Sequence, residues 1–149
     1  MAEIASAGHL RLSIVTPTGA IAKTEVTEIV APGVLGEFGV LPGHLPFLSA
    51  MGAGVLTFVE DGHTRVLAVG PGYVEVGAGD EVVVLTETAL APDAIDVEAA
   101  GRDEREATQA LATLSPAEQR GEYTHASALA AWGRARREAV ERQRGLSAH

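Results

Sequence analysis

The sequence predicts a mainly β protein with an α-helical second part: an N-terminal antiparallel β-sandwich over residues 1–91, then a C-terminal two-helix antiparallel hairpin over residues 92–149. Three observations predict it. Up to Pro92, apolar residues alternate in short runs cut by Gly, Pro or Asp, as in half-buried strands joined by tight turns. After Pro92 the apolar period becomes that of a helix. Composition divides at the same place, since 13 of the 17 glycines and six of the seven prolines lie in residues 1–92. The short polar ends, 1–8 and 145–149, are expected to fray.

The first run places Leu10, Leu12 and Ile14 on one face and stops at Thr16-Pro17-Thr18-Gly19. Val26, Ile29 and Val30 follow before Pro32-Gly33. Gly54–Val59 and Thr64–Val69 flank Glu60-Asp61-Gly62-His63, whose Asp-Gly centre supplies the positive φ of a hairpin turn. Tyr73–Val76 and Glu81–Leu85 form a second hairpin around Gly77-Ala78-Gly79-Asp80. Strands at this spacing with no helical period between them suggest a sandwich or barrel.

Val97, Ala100, Glu104, Ala107, Leu111 and Leu114 are spaced 3, 4, 3, 4, 3, a helical seam with one acidic interruption. Ser115-Pro116 ends that helix, because proline disfavours α geometry before it and lacks the N–H to continue. A second helix is predicted from Ala126 to about Arg142, with His125, Ala128, Leu129, Trp132, Ala135 and Ala139 on one stripe. The link runs from Ser115 to Thr124. Both seams hold mostly alanine, so little area is buried and the hairpin is expected to be able to leave its resting place.

Composition excludes several function classes. With no cysteine among 149 residues there is no disulfide, thiolate metal site or cysteine nucleophile. A net charge of −9 opposes binding to nucleic acid or direct insertion at an anionic membrane. Three bases against ten acids put −7 of that charge in residues 1–92, and the rest of the chain carries −2. No apolar run approaches the roughly 20 residues of a membrane span.

Catalytic patterns are missing as well. His9, His44, His63, His125 and His149 have no ligand spacing, so no metal is expected. Gly70-Pro71-Gly72-Tyr73-Val74-Glu75 opens like a dinucleotide fingerprint but has Glu75 at the third glycine and leads into a strand. No phosphate-cradling loop or nucleophile elbow occurs, and the chain does not read as an enzyme.

One segment, Gly36-Glu37-Phe38-Gly39-Val40-Leu41-Pro42-Gly43-His44-Leu45-Pro46-Phe47-Leu48, is apolar and held in turns by its prolines and glycines. Phe38, Leu41 and Phe47 offer contact area there. By itself it reads either as a buried sandwich corner, with His44 bonded to a carbonyl, or as an exposed docking loop. Its sequence strongly resembles the signature loop of the epsilon subunit of F-type ATP synthases. The resemblance extends from Leu10-Arg11-Leu12-Ser13-Ile14-Val15-Thr16-Pro17, through Gly70–Val76 and Val82–Ala89, to the helix opening at Ile95-Asp96.

That resemblance implies a ten-stranded sandwich and a helical hairpin at the foot of a rotary central stalk. The implied partners are the gamma subunit, the membrane rotor ring of c subunits and, through an extended hairpin, the alpha and beta subunits. It implies a peripheral place on the cytoplasmic side of a bacterial inner or plasma membrane. Glu37, Phe38, Leu41, Pro42 and His44 become candidate contacts to ring and gamma subunit. Arg134, Arg136, Arg137 and Arg142 become candidate contacts to the catalytic head, against the plainer reading of a solvated helix face. Some relatives bind ATP through Ile/Leu-Asp-x-x-Arg-Ala; here Ile95 and Asp96 are present but Ala99 replaces the arginine, and no cofactor is expected. Two rivals remain: a small sugar- or nucleotide-binding β-sandwich enzyme with a helical appendage, and a free-standing adaptor that binds through its hairpin.

Overall fold

A computed structural model describes residues 8–148. Of the residues expected to fray, 1–7 and His149 lie outside the described residues. Among the described residues ten strands precede two α-helices. The strands are β1 (Leu10–Thr16), β2 (Gly19–Val26), β3 (Glu28–Gly33), β4 (Gly36–Val40), β5 (Phe47–Met51), β6 (Gly54–Glu60), β7 (His63–Val69), β8 (Gly72–Val76), β9 (Glu81–Thr86) and β10 (Ala89–Leu90). After a single 3-10 turn, Pro92–Ala94, come α1 (Val97–Thr113) and α2 (Arg120–Ser147).

The strands follow one hydrogen-bonded path, β10-β7-β6-β3-β5-β8-β9-β1-β2, with β4 paired to β3 beside it. The path wraps a single core to which every strand from β1 to β9 contributes, including Leu10, Leu12, Ile14, Ile29, Met51, Leu56, Val74 and Val84. Alternation along β1 is what sends Leu10, Leu12 and Ile14 inward together, as its spacing predicts. The hairpin between β6 and β7 has only Asp61-Gly62 in its loop, at φ 51° and 77°, the left-handed pair that a twist-matched turn requires.

Three features of the sheet depart from the sequence reading. β1 and β9 run parallel, pairing Arg11 with Glu81 through Val15 with Leu85, whereas every other pair is antiparallel. β2 is a full strand where the reading passes from a turn to Val26. It is an edge strand of mainly small and polar residues, formed by its ladder with β1 and giving no apolar alternation of its own. The segment read as turns from Gly36 begins instead as β4, paired from Gly33–Gly36 to Ile29–Val40, and its Phe47 opens β5.

α1 starts at Asp96, whose Oδ1 accepts the amides of Glu98 and Ala99 at 3.1 Å each, and it ends before Ser115-Pro116. α2 is longer than predicted at both ends. Arg120, Glu122 and Tyr123 suit an exposed first turn although they show no apolar period. Gly145–Ser147 is helical rather than frayed, supported by a bond from the Gln143 amide to the Ser147 hydroxyl at 3.4 Å. The connection shrinks to Leu114–Gln119, where the Ser115 amide donates to Gln119 Oε1 at 3.1 Å and the Glu118 amide to Ser115 Oγ at 3.2 Å.

The buried stripe of α2 keeps Trp132, Ala135 and Ala139 of the predicted one but departs from it in the first half of the helix. His125, Ala128 and Leu129 are exposed, and Ala126, Ala130 and Gly133 are buried, with Ala135, Ala139 and Val140 further along. Gly133 explains the shift. A Cβ there would stand 2.9 Å from the Ala100 carbonyl oxygen and 2.9 Å from the Glu104 nitrogen, so the two helix backbones meet at a residue that no hydrophobic pattern marks. Of the paired helices it is α2 that lies on β6 and β7, where its Trp132 and Ala139, with Ile95 from the segment before α1, cover Val55, Val66 and Ala68. That cover accounts for the burial of both faces of β6 from Val55 to Phe58.

Candidate docking surfaces

The sandwich presents two apolar surfaces to solvent. The first is the segment from β3 to β5. At its β3–β4 turn Val34 and Leu35 point into water, Leu35 fully exposed, with Glu37 next to them on β4. Between β4 and β5, Leu41 and Leu45 are exposed, Pro42 is half-buried, and His44 closes a turn through its amide to the Leu41 carbonyl at 3.1 Å.

The His44 ring bonds through Nδ1 to the Leu45 carbonyl at 3.1 Å and leans on Phe47 at 5.0 Å between centroids. Phe47 meets Phe38 edge-on at 5.7 Å, and both phenyl rings pack against the core. Phe38 and Phe47, both half-buried, therefore anchor the segment from beneath. The exposed apolar groups are Val34, Leu35, Leu41 and Leu45.

The second surface is formed by residues that no local sequence motif groups together. Ala50, Tyr73, Leu85 and Val15 stand opposite one another across β5, β8, β9 and β1. Their neighbours Val74, Val84 and Ile14 point into the core, so this row faces out. Tyr73 and Leu85 are about half exposed, Leu48 extends the patch along β5, and a shallow groove of about 650 Å³ runs beside it past Pro17, Met51 and Pro71. The signal was present: Val82-Val83-Val84-Leu85 is apolar at every position, and a strand with one solvated face has no need of that.

The four candidate arginines are all engaged. Arg134 donates through Nε to Glu104 at 3.1 Å, and Arg137 reaches the same carboxylate at 2.8 Å and Glu141 at 3.0 Å. Arg136 pairs with Asp103 at 2.9 Å and lies 5.4 Å from the centre of the Trp132 ring. Arg142 approaches Glu37 at 3.8 Å, which brings together residues from the two candidate contact sets.

Glu104, the acidic interruption in the α1 seam, is thus the point where the helices are bridged by charge. The hydrogen bond from Arg137 holds its carboxyl below the usual carboxylate range, aided by Arg134 and opposed by burial. Arg137 is correspondingly raised, first by Glu104 and then by Glu141.

Ile95 and Asp96, the positions that match the start of the nucleotide motif, have structural roles here. Ile95 packs against the sheet-facing cluster and Asp96 caps α1. Among the described residues no helix is long and apolar enough to cross a membrane.

Residues 9–92 match the family model described as ATP synthase, Delta/Epsilon chain, beta-sandwich domain. The chain is similar to the ATP synthase epsilon chain of Geotalea uraniireducens (strain Rf4), with 47% identity over 110 residues that take in 74% of this chain and 79% of the relative. It is similar to the ATP synthase epsilon chain of Geobacter metallireducens (strain ATCC 53774 / DSM 7210 / GS-15), with 46% identity over 123 residues, 83% of this chain and 88% of the relative. Its fold is similar to that of a chain in the mitochondrial ATP synthase of Euglena gracilis, in an OSCP/F1/c-ring assembly, with a TM-score of 0.68 and 20% identity over 95% of this chain and 82% of that one.

Proposed function

The chain belongs to the family of ATP synthase epsilon chains, non-catalytic subunits of the central stalk, and from that membership we propose that it couples rotation of a proton-driven membrane ring to the catalytic head and restrains ATP hydrolysis through its hairpin. The row Ala50, Tyr73, Leu85 and Val15 meets the gamma subunit. The turn at Val34-Leu35, with Glu37, rests on the polar loops of the c-subunit ring, and the Leu41–Pro46 loop lies at the junction of the two. Position on the cytoplasmic side of the cell membrane follows from these protein contacts, since a chain of net charge −9 gains nothing from anionic lipid.

One contrast supports the reading above the rest. The sandwich leaves a rigid apolar face open, while the hairpin closes Arg134, Arg136 and Arg137 on carboxylates of its own first helix. An extended hairpin exchanges those carboxylates for acidic groups of the alpha and beta subunits, so resting and inhibitory positions compete for the same guanidinium groups.

The test is co-purification of the full chain with a reconstituted αβγ head, followed by ATP hydrolysis with and without the chain. Failure to co-purify removes the docking reading. Equal hydrolysis rates remove the inhibitory one. A disulfide between cysteines introduced at Ala68 and Ala139, members of one buried cluster in a cysteine-free chain, should hold the hairpin down and relieve the inhibition. Calorimetry should detect no ATP binding tighter than about 1 mM, because Ala99 offers a phosphate no cation and Glu98 repels it.

A further inference from the structure

We propose that Asp80, in the turn between β8 and β9, is a positioning residue that holds the Leu41–Pro46 loop in its docking geometry. The observation is a hydrogen bond from the Gly43 backbone N–H to Asp80 Oδ1 at 2.7 Å, between residues 37 positions apart in the chain. The loop needs such a tie. The ladder of β4 ends at Val40 and that of β5 begins at Phe47, so residues 41–46 have no strand partner to fix them. Their internal bonds, from the His44 amide to Leu41 and from the His44 ring to Leu45, shape the turn without locating it on the sandwich.

Asp80 is itself held firmly. Its φ is 63°, a left-handed conformation that Asp, Asn and Gly accept more readily than other residues. The turn is closed by the Gly77 amide on the Glu81 carbonyl at 2.8 Å. From the side, β1 braces it: the Arg11 amide donates to the Asp80 carbonyl at 2.8 Å, and the Arg11 guanidinium reaches the Gly79 carbonyl at 3.1 Å and the Glu81 carboxylate at 3.4 Å. The short carboxylate arm therefore projects from a fixed base and accepts a short, charge-assisted bond at the centre of the loop. A loop located in advance loses less conformational entropy when a partner closes over it, and Asp80 acts on docking through that term without touching the partner.

This inference rests on the reading of Leu41–Pro46 as a docking loop, and two variants separate the roles of the side chain. Asp80→Gly keeps the left-handed turn and removes the acceptor. Asp80→Asn keeps the turn and an acceptor oxygen while removing the charge. Binding of the full-length chain to the reconstituted αβγ head is expected to be within about twofold of wild type for Asp80→Asn and about three- to tenfold weaker for Asp80→Gly, the size of one hydrogen bond. Thermal midpoints should be alike, and the Gly43 amide should exchange with solvent faster in Asp80→Gly alone. Wild-type affinity in Asp80→Gly, or equal losses in both variants, overturns the proposal. If the wild-type chain itself does not bind the head, the docking reading fails separately. Gly43 exchange then decides the role of Asp80: faster in Asp80→Gly than in Asp80→Asn upholds the positioning, and equal rates overturn it.

Discussion

The sandwich and the helical hairpin are cohesive for different physical reasons. Inside the sandwich the fully buried side chains are large: Leu10, Leu12, Ile14, Ile29, Met51 and Leu56. Each contributes about 1.5–3 kcal/mol through the apolar surface it removes from water. Inside the hairpin the buried residues are Ala100, Gly101, Ala107, Ala126, Ala130, Gly133, Ala135, Ala139 and Val140. Alanine and glycine bury little surface, so the helices rely on close backbone approach at Gly133 and on ion pairs across the seam. A body held by volume resists opening, whereas one held by fit and charge can be released by a competing surface.

The contrast can be tested by striking each region at its own support. Leu56→Ala, at a fully buried core position, should cost about 2–5 kcal/mol and lower the denaturant midpoint of the whole chain. Gly133→Ala should act on the hairpin alone. Its new Cβ meets backbone atoms of α1 at 2.9 Å, and overpacking of this kind costs about 1–3 kcal/mol. Trp132, the single tryptophan, sits between hairpin and sheet, so its fluorescence should report detachment while amide exchange in β1 and β9 stays as in wild type.

Glu104→Gln should have a smaller effect, about 1 kcal/mol at neutral pH, because the arginines it pairs with are partly solvated. It should also alter the response to acid. The folded state holds the Glu104 carboxyl below its ordinary value of 4.5, so the pairing stabilises fully above that pH and is lost as pH falls through the lower folded value. Trp132 fluorescence should therefore show acid-induced loosening of the wild-type hairpin below about pH 4.5, weaker in Glu104→Gln. Smallest of all, Arg142→Ala should shift hairpin docking by no more than about 0.5 kcal/mol and only at low salt, since both it and Glu37 are about half exposed.

What could be seen in the sequence follows the same divide. Local signals carried through: the Asp61-Gly62 hairpin, the inward row of β1, and the stop at Ser115-Pro116 each depend on residues within one turn or strand of each other. Long-range features did not. Nothing local in Leu10–Thr16 announces a parallel partner about 70 residues later, and β2 has no apolar period because its backbone ladder alone makes it a strand. On α2 the seam is legible from Trp132 to Ala139 but not before it, because hydropathy follows Leu129, whereas the helices meet at a glycine.

At the candidate surfaces the segment from Glu37 to His44 stood out because its composition is unusual. The Ala50–Val15 row was hidden, since it exists only once four strands are set side by side. In sequence Asp80 is one residue of a turn, and its reach to Gly43 spans a distance that no motif covers.

The parallel pairing of β1 with β9 also governs the order in which the chain can be assembled. Antiparallel neighbours such as β6 and β7 need close only a two-residue loop, whereas joining Arg11 to Glu81 closes nearly the whole sandwich into one ring of chain. During synthesis the β1–β2 hairpin emerges before β9, and its place in the sheet does not exist until β9 has left the ribosome. Folding should accordingly show a rate limited by this single long closure, with the locally wound helices joining afterwards. β1 thus has one neighbour at once in β2 but waits for the other until nearly the whole sandwich has been made.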